Sequence, residues 1–365
     1  MKVLLIDHFL AHYRSDVYEL LMNSKIYEFQ FIAGDSYEGV KGVDVSQKQG
    51  YANYKYRSFS IGVHRFYFSI GIIKHYLRNS KATVICTGVD FHLPHTVIVF
   101  LIHRIILRRK FYWWTHGNDG NQGRIGVAIR KFFYKNATGI FAYNNEGKRN
   151  LTLMGVKDAN VKVVNNSLNR NDYGFFKYDL KSKKRSDKFR ILYSGRITKE
   201  KRIDFLLESL AILKKQHNIE FVCRIIGGGC IDELKQQSVR LGVDENIEFL
   251  GAKYRNDVDK YFLDSDIFVY PSGIGLSIVH ALSYGLPVMT VSNSAQHGPE
   301  FELHQKGVNG DLFQREDCNG LVLKLLQWYQ RIRDDNGLII DACVQSINQK
   351  GYLPEILARN IIDFL

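Results

Sequence analysis

The chain alternates short runs of β-branched and aromatic residues with amphipathic stretches of helical length. Arg124–Tyr134 shows the helical pattern, with its apolar residues on one face. The predicted strands of the first half are Lys2–Ile6, Phe29–Ile32, Thr83–Thr87, Phe111–Thr115, Gly139–Tyr143 and Val161–Val164. Strands that alternate with helices in this way form βαβ units, so the first half is predicted to fold as an α/β domain around a parallel sheet.

The same alternation starts again after a polar segment, residues 175–188, which has no apolar periodicity. The strands predicted beyond it are Arg190–Ser194, Phe221–Ile226, Ile247–Leu250, Ile267–Tyr270 and Pro287–Val291. We therefore predict two Rossmann-like, doubly wound domains with a cleft between them, in which ligands bind beyond the carboxyl ends of the strands. The predicted parts are a first domain (1–174), a basic linker (175–188), a second domain (189–348) and a C-terminal helix (349–365) that packs back on the first domain.

The net charge of +13 is concentrated in the first half of the chain. Residues 1–176 carry +12 and residues 177–188 carry +4, whereas residues 189–365 carry −3. Such asymmetry indicates an anionic partner, either nucleic acid or a membrane surface. No nucleic-acid motif is present, and cations interleaved with aromatic rings favour an anionic membrane surface. The alternative is a basic surface that is merely solvated. The patch comprises Arg104, Arg108, Arg109, Lys110, Arg130, Lys131 and Lys135, with Phe111, Tyr112, Phe132, Phe133 and Tyr134.

Several classes of protein are disfavoured. The most apolar stretch, Thr96–Leu107, is about a dozen residues long, too short to span a bilayer. The first ten residues are predicted to be a strand and not a signal peptide. The five cysteines lack ligand spacing, which argues against a zinc site or a disulfide framework. We expect a cytoplasmic protein, peripheral at the inner face of the cell membrane.

The most informative stretch is YPSGIGLSIVHALSYGLPV, which begins at Tyr270. A predicted strand ends at Tyr270, Gly273 and Gly275 make a tight turn, and a helix begins near Leu276. Free N–H groups at the start of a helix form an anion site that suits a diphosphate. His280 lies one turn further along the same helix face.

Two further segments could contribute to an anion site. Arg196 follows the first strand of the second half, and Lys201 lies five residues later, near a helix start. Both could converge on an anion, but on charge alone the favoured interpretation of this pair is a solvated basic helix start. The run Gly227–Gly229 allows close backbone approach to a nucleotide, but it lacks the spacing of a dinucleotide fingerprint or a P-loop.

Four segments of the second half, taken in order, resemble glycosyltransferase family 4, whose members have the GT-B fold of two Rossmann-like domains. The segments are SGRITKEKRIDFLLESL, IIGGG, IEFLGA and DIFVYPSGIGLSIVHALSYGLPV. The resemblance covers about Arg190 to Phe313. The first half is similar more loosely, through FLAHYRSDVYELL, WWTHG at Trp113–Gly117, and the segment Asn166–Leu168.

The resemblance implies roles for particular residues. Arg196 and Lys201 would hold the donor diphosphate and stabilise the leaving group, and His116 would face the donor sugar. Fixed cations and N–H donors suit the negative charge that grows on a departing nucleoside diphosphate, and they would replace a metal ion. The donor-binding set is Gly228, Gly229, Ser272, Gly273, Gly275, Leu276, Ser277 and His280. The acceptor-binding set is His12, Tyr13 and Arg14.

The sequence departs from the family at two positions. The family typically has two glutamates, seven residues apart, around this glycine turn, and Ser272 and His280 stand there instead. Ser272 can hydrogen-bond without charge, and His280 can bond a ribose hydroxyl. We predict that Glu300 supplies part of the lost carboxylate function, as a fourth catalytic residue. The alternative for Glu300 is a charge in the first turn of a helix.

The predicted activity is transfer of a sugar from a nucleotide-sugar to a glycan acceptor, expected to be lipid-linked, with retention of configuration. UDP-sugar is favoured over GDP-sugar as the donor, and no cofactor and no metal are expected. Asp264-Ser265-Asp266 matches a D-x-D metal pattern but sits between a helix and a strand, which disfavours a metal site. Two alternatives stay open: a catalytically degenerate partner subunit that binds nucleotide or glycan, and a membrane- or nucleic-acid-binding module.

Overall fold

The computed structural model describes residues 1–37, 40–41, 49–117, 124–182, 186–217, 219–254 and 256–365. The chain divides into two units. The first contains residues 1–169 and 354–365, and the second contains residues 170–353. Each unit is built on a parallel sheet, so the predicted pair of Rossmann-like domains is confirmed.

The main sheet of the first unit has seven parallel strands in the order β11-β10-β9-β8-β1-β2-β5. Its central strands are buried along most of their length, which explains their nearly continuous apolar sequences. A short pair (β3, β4) and a hairpin (β6, β7) are antiparallel. The strands are β1 Lys2–Asp7, β2 Glu28–Gly34, β3 Ser36–Tyr37, β4 Val40–Lys41, β5 Tyr51–Tyr54, β6 Arg57–Ile61, β7 His64–Phe68, β8 Thr83–Thr87, β9 Phe111–Thr115, β10 Gly139–Ala142 and β11 Val161–Val163.

Helices cover both faces of this sheet. One apolar core includes Val17 and Leu21 of the first helix together with Leu357 and Ile361 of the last helix of the chain. The opposite core includes side chains of four other helices, among them Phe100. The helices are α1 Ser15–Met22, α2 Ile70–Arg78, α3 Pro94–Phe100, which continues as a π-helix over Leu101–Ile106, α4 Arg124–Asn136 and α5 Asn145–Leu153.

The second unit contains a six-stranded parallel sheet in the order β14-β13-β12-β15-β16-β17. The strands are β12 Phe189–Ser194, β13 Phe221–Ile226, β14 Ile247–Gly251, β15 Ile267–Tyr270, β16 Val288–Val291 and β17 Gly310–Phe313. The helices that follow α5 are α6 Ile203–His217, α7 Asp232–Arg240, α8 Asn256–Leu263, α9 Ser277–Ser283, α10 Cys318–Lys350 and α11 Pro354–Phe364. Helix α10 is kinked at Asp335, whose backbone is not helical. Across the described ranges, no helix is both long enough and apolar enough to cross a membrane.

The unit boundaries differ from the predicted ones. The first unit ends at residue 169, and most of the predicted linker 175–188 belongs to the second unit; residues 183–185 lie outside the described residues. The predicted linker looked polar, but Leu180 is buried and the Lys177 and Tyr178 side chains both bond to the buried carboxylate of Asp259. The last helix begins at Pro354 instead of residue 349, and it is grouped with the first unit.

The predicted basic patch also differs from the observed surface. Phe111, Tyr112, Phe133 and Tyr134 are buried in the cores, so Phe132 is the one predicted ring that the structure exposes. Arg104 and Lys110 donate to the carbonyls of Asn136 and Leu365, which gives these two cations structural roles as well. Aliphatic side chains take the place of the buried rings beside the exposed cations. They are Leu101, Ile105, Ile106, Leu107, Val127 and Ile129.

Two buried histidines predict an acid-sensitive fold. His95 and His103 are fully buried, and burial lowers the pKa of each to about 4. The unfolded chain takes up these protons from about pH 6.5 downward, whereas the folded chain does so only near pH 4. Stability is therefore complete above about pH 6.5 and falls as the pH drops towards 4, by about 2 kcal/mol per histidine at about pH 5. Urea unfolding at about pH 7.5 and about pH 5 measures this, and an unchanged midpoint would contradict it.

Candidate active site

The turn between β15 and α9 is built by a close approach of two backbone segments. A Cβ atom added to Gly273 would lie 1.9 Å from the carbonyl oxygen of Gln296, so only glycine fits there. Gly298 donates its N–H to the carbonyl of Ile274 at 2.8 Å. The carbonyl of Ser272 accepts the hydroxyl of Thr290. The loop that follows β16 therefore holds this turn in place.

His297 fixes the same turn through its ring, and the sequence analysis missed it. Its Nδ1 accepts the N–H of Ile274 at 3.0 Å, and its Nε2 donates to the carbonyl of Val291 at 2.9 Å. This pattern requires a neutral ring with the proton on Nε2. Burial lowers the pKa of His297, and the ring stacks on Phe301 with centroids 3.8 Å apart. The sequence offered no signal for this role, because the two bonds join His297 to separate segments of the chain.

Lys201 reaches the turn from the loop that follows β12. Its Nζ lies 3.4 Å from the carbonyl oxygen of Gly273 and 5.1 Å from the ring centroid of Tyr270. Tyr270 stacks on Tyr193, whose hydroxyl donates to the carbonyl of Arg196 at 2.8 Å. Two stacked tyrosines thus position both predicted cations. The Arg196 side chain is exposed.

The glycine run after β13 lies alongside the Arg196 loop. Ile197 donates its N–H to the carbonyl of Gly228 at 2.9 Å, and it pairs with Gly229 in a parallel bridge. A Cβ atom on Gly227 would lie 1.9 Å from the carbonyl oxygen of Gly195. Gly228 and Gly229 are exposed. The structure therefore brings the Arg196–Lys201 loop together with the glycine run and with the Gly273 turn.

Glu300 lies against the glycine turn. Its side chain is buried, and its Oε2 would be 3.5 Å from a Cβ atom built on Gly275 and 2.7 Å from one built on Gly298. Ser272 is also buried, and among the described residues its Oγ has no hydrogen-bond partner. The Ser272 hydroxyl thus flanks the turn on the side of β15, and the Glu300 carboxylate flanks it on the side of the loop that follows β16. Their predicted contacts with the donor stay predictions.

The backbone at the start of α9 leaves amides available. The N–H groups of Gly275, Leu276 and Ser277 donate to no backbone carbonyl within the described ranges. Leu276 precedes the first helical residue, and no side chain caps the helix. Unused amides at a helix start attract anions, although α9 has only seven residues and a correspondingly small dipole. With Lys201, the turn offers one charge and several N–H donors to an anion.

His280 is directed at the interior of the second unit. Its ring lies 4.3 Å from that of Phe262 and 5.4 Å from that of Tyr284, between centroids. Burial lowers its pKa to about 4, even though the charge of Asp259 acts in the opposite direction. The ring is neutral at pH 7 as a result. The structure shows that the His280 ring packs against Phe262 of α8. The bond between His280 and a ribose hydroxyl stays a prediction.

Arg14 is the best-anchored residue of the predicted acceptor set. It is buried, its Nη2 donates to the hydroxyl of Tyr143 at 2.8 Å, and its Nε donates to Asn166 Oδ1 at 3.2 Å. The guanidinium also lies 5.0 Å from the ring centroid of Trp114. The Arg14 guanidinium is therefore engaged within the protein, where it holds together the carboxyl edge of the first sheet.

His116 lies at the same edge, directly after β9. Its ring stacks on Tyr143 with centroids 4.3 Å apart, and desolvation, with the charge of Arg14 next, lowers its pKa. His12 is exposed and Tyr13 half-buried, with rings 5.8 Å apart. The structure thus joins Arg14 and His116 through Tyr143 and leaves His12 at the surface.

The carboxylates of the D-x-D segment pair with arginines. Arg190 pairs with Asp264 at 2.5 Å and with Asp266 at 2.6 Å, and Arg224 pairs with Asp264 at 2.8 Å. These carboxylates are committed to a network beside β12 and β13. No group of three His, Cys, Asp or Glu side chains that could hold a metal ion occurs among the residues that the structure describes.

The second unit carries a recognisable family region. Residues 175–335 match Glycosyl transferases group 1. This group 1 region contains the three converging loops and Glu300. The amylovoran biosynthesis glycosyltransferase AmsK of Erwinia amylovora is 29% identical over 151 residues, 39% of this chain and 36% of AmsK. The alignment thus spans about a third of the relative's length.

Solved structures match the whole chain in fold. Anabaena HepE in complex with UDP has a TM-score of 0.70 at 17% identity, covering 100% of this chain and 99% of HepE. The lipopolysaccharide outer core galactosyltransferase WaaB gives the same TM-score, identity and coverage. At such low identity the likeness concerns the fold alone. It agrees with the two Rossmann-like sheets, and the GT-B prediction is confirmed.

Proposed function

We propose that the protein is a family 4-type, retaining glycosyltransferase that moves a sugar from a nucleotide-sugar to a glycan acceptor. The observation that carries the proposal is the meeting of Lys201, the Gly273–Ser277 turn and Glu300 inside the group 1 region. A cation and backbone amides suit the phosphates of a nucleoside diphosphate, and a carboxylate suits the hydroxyls of the attached sugar.

In the proposed reaction, the bond between the sugar's anomeric carbon and the diphosphate oxygen breaks. A bond forms between that carbon and the acceptor hydroxyl oxygen, on the same face. The hydroxyl proton passes to the departing phosphate oxygen, and the nucleoside diphosphate leaves. Lys201, Arg196 and the amides of Gly275, Leu276 and Ser277 stabilise the negative charge that develops on that oxygen. Fixed donors lower the barrier because they need no reorganisation during the reaction.

The carboxylate of Glu300 is proposed to bond hydroxyls of the donor sugar, together with Ser272 Oγ. The buried Ser272 Oγ supports this, because a buried polar atom without a hydrogen-bond partner gains most from one. The position of Glu300 Oε2 against Gly275 and Gly298 places its carboxylate beside the same turn. His116 is proposed to contact the donor sugar, as the resemblance implies. His12 and Tyr13 are proposed to contact the acceptor, with Arg14 anchoring their loop.

UDP is the proposed nucleotide, and HepE, which binds UDP, supports it. A polysaccharide or lipopolysaccharide precursor is the proposed acceptor class, for capsule, O-antigen or exopolysaccharide assembly. AmsK acts in amylovoran biosynthesis and WaaB on the lipopolysaccharide outer core, and both support this class. The acceptor is proposed to be lipid-linked, with the basic first unit at an anionic membrane surface.

The test is incubation with a panel of nucleotide-sugars and glycan acceptors, followed by assay of released nucleoside diphosphate. We expect turnover with at least one UDP-sugar and its loss in Arg196→Ala. Calorimetry distinguishes the degenerate partner subunit, which would bind UDP but turn over no donor with any acceptor. Absence of both binding and turnover would overturn the proposal.

Metal removal gives a separate prediction. Because the charges come from Lys201 and Arg196, and the D-x-D carboxylates pair with arginines, we expect unchanged turnover after dialysis against EDTA. The control is addition of Mg²⁺ or Mn²⁺ to the dialysed protein, which we expect to change the rate by less than about twofold. A loss of turnover in EDTA that Mg²⁺ restores would contradict a metal-independent mechanism.

A further inference from the structure

We propose that the β6–β7 hairpin of the first unit is a membrane-inserting finger, whose tip enters the interfacial region of an anionic lipid leaflet. The proposal rests on the proposed function only for the lipid-linked acceptor, which it deepens. It concerns a segment that the sequence analysis did not single out.

The tip of the hairpin exposes apolar side chains to solvent. Val63 is 95% exposed, Ile61 64% and Phe59 48%. The strands turn at Gly62, whose φ of 58° suits the tight connection. Exposing three large apolar side chains at one tip has a cost in water that insertion among lipids removes.

The two faces of the hairpin differ in chemistry. Cross-strand partners share a face, so Phe59 lies with Phe66, and their rings stack at 5.3 Å between centroids. On the other face, Arg65 Nη2 donates to Ser58 Oγ at 3.0 Å. An amphipathic ribbon with an apolar tip and a polar, cationic flank suits the interface between head groups and acyl chains.

The stretch of sequence that contains the hairpin is cationic. Residues 45–89 contain seven Lys and Arg and no Asp or Glu. Residues 45–145 contain fifteen Lys and Arg against two acidic residues, so this stretch holds a net charge equal to that of the whole chain, +13. Arg57 and Arg65 lie on the hairpin itself, and their positive charge favours anionic lipids over a neutral membrane. The same charge disfavours a neutral protein groove as the partner.

The base of the hairpin is tied to the carboxyl edge of the first sheet. Tyr56, just before β6, donates its hydroxyl to the carbonyl of His8 at 3.0 Å. Tyr67 donates its N–H to the carbonyl of His92 at 2.7 Å, and Phe68 lies 6.2 Å from His95 between ring centroids. His8 directly follows β1, so a membrane that holds the tip lies near the edge where Arg14 and His116 are found.

The experiment is flotation of the full chain with phosphatidylcholine vesicles, with and without phosphatidylglycerol. We expect binding to the phosphatidylglycerol vesicles, weakened by salt. Ile61→Ser with Val63→Ser lowers the partition coefficient by about tenfold or more, because two apolar side chains no longer leave water. The matched control replaces two exposed leucines elsewhere, Leu153→Ser with Leu338→Ser, and changes it by less than about twofold.

A second variant reports insertion directly. The native tryptophans Trp113, Trp114 and Trp328 are buried. In the Val63→Trp variant, the new side chain therefore supplies the fluorescence that responds to solvent. We expect a blue shift and quenching by brominated lipid only with phosphatidylglycerol vesicles. An unchanged spectrum, or a shift with an oligonucleotide but not with vesicles, overturns the proposal. Donor turnover with a soluble acceptor tests the proposed function separately, and the Ile61, Val63 double variant should retain it.

Discussion

Replacing Lys201 with methionine is expected to lower release of nucleoside diphosphate from a nucleotide-sugar by about 100- to 1000-fold in kcat. Methionine keeps an apolar stem over the ring of Tyr270 and removes only the charge that lies 3.4 Å from the Gly273 carbonyl. In the proposed reaction, the departing phosphate then develops its charge without the Lys201 cation. Steady-state kinetics with the best donor of the panel measures the effect.

Lys199→Met is the matched control. Lys199 lies on the same short 3₁₀ helix as Lys201 but is exposed, and it carries no predicted role. We expect its kcat to stay within about twofold of the parent, because an exposed charge is screened by solvent. Equal losses in the two variants would mean that Lys201 acts through net charge. An unchanged kcat in Lys201→Met would remove it from the leaving-group site.

Gly273→Ala is expected to lower kcat/KM for the donor by about 100-fold or more. The added Cβ would lie 1.9 Å from the Gln296 carbonyl, so the turn and the loop after β16 must separate. A displacement of about 1 Å moves the amides of Gly275–Ser277 away from the donor phosphates, which is enough for such a loss. Donor kinetics and a thermal melt, taken together, separate a shifted turn from an unfolded protein.

Gly337→Ala provides the corresponding control. It adds the same methyl group to helix α10, where the nearest atom is Asp335 Oδ1 at 3.4 Å. Both substitutions lower the conformational entropy of the unfolded chain by the same amount, so this contribution to stability cancels when the two variants are compared. We expect parental kinetics for Gly337→Ala. Parental kinetics for Gly273→Ala as well would show that the turn does not hold the donor.

The sequence predicted those features that depend on local pattern. Parallel strands that are buried on both faces give continuous apolar runs, so the two sheets were predictable from alternation alone. The turn at Gly273 was predictable because a glycine pair between a strand and a helix is a local signal. Lys201 and Arg196 came from their positions after β12 and from the family resemblance.

Features that depend on long-range packing could not be predicted. The segment around Lys177 looked like a free linker, because its partner Asp259 is 82 residues away in sequence. The helix face that carries His280 was predictable from periodicity, whereas the ring that it meets, Phe262, was not. Its bond to a ribose hydroxyl stays a prediction. The predicted aromatic patch failed for the same reason, since strand and helix rings such as Phe111 and Phe133 entered the core.

His297 illustrates a further limit. Its role follows from one acceptor and one donor bond to backbone groups of two different segments, Ile274 and Val291. No pattern of residue spacing in the sequence marks either bond. A neutral histidine that fixes a glycine turn is therefore found only when the two loops are seen side by side.

A crystal structure of the protein grown with UDP in the presence of EDTA would show directly whether the turn holds the donor. We expect diphosphate oxygens that accept hydrogen bonds from the amides of Leu276 and Ser277, with Lys201 Nζ and the Arg196 guanidinium at ion-pair distance. We also expect the Glu300 carboxylate beside the site where the donor sugar is attached. A diphosphate bound away from the Gly273–Ser277 turn, with Lys201 facing solvent, would rule out the proposed donor site.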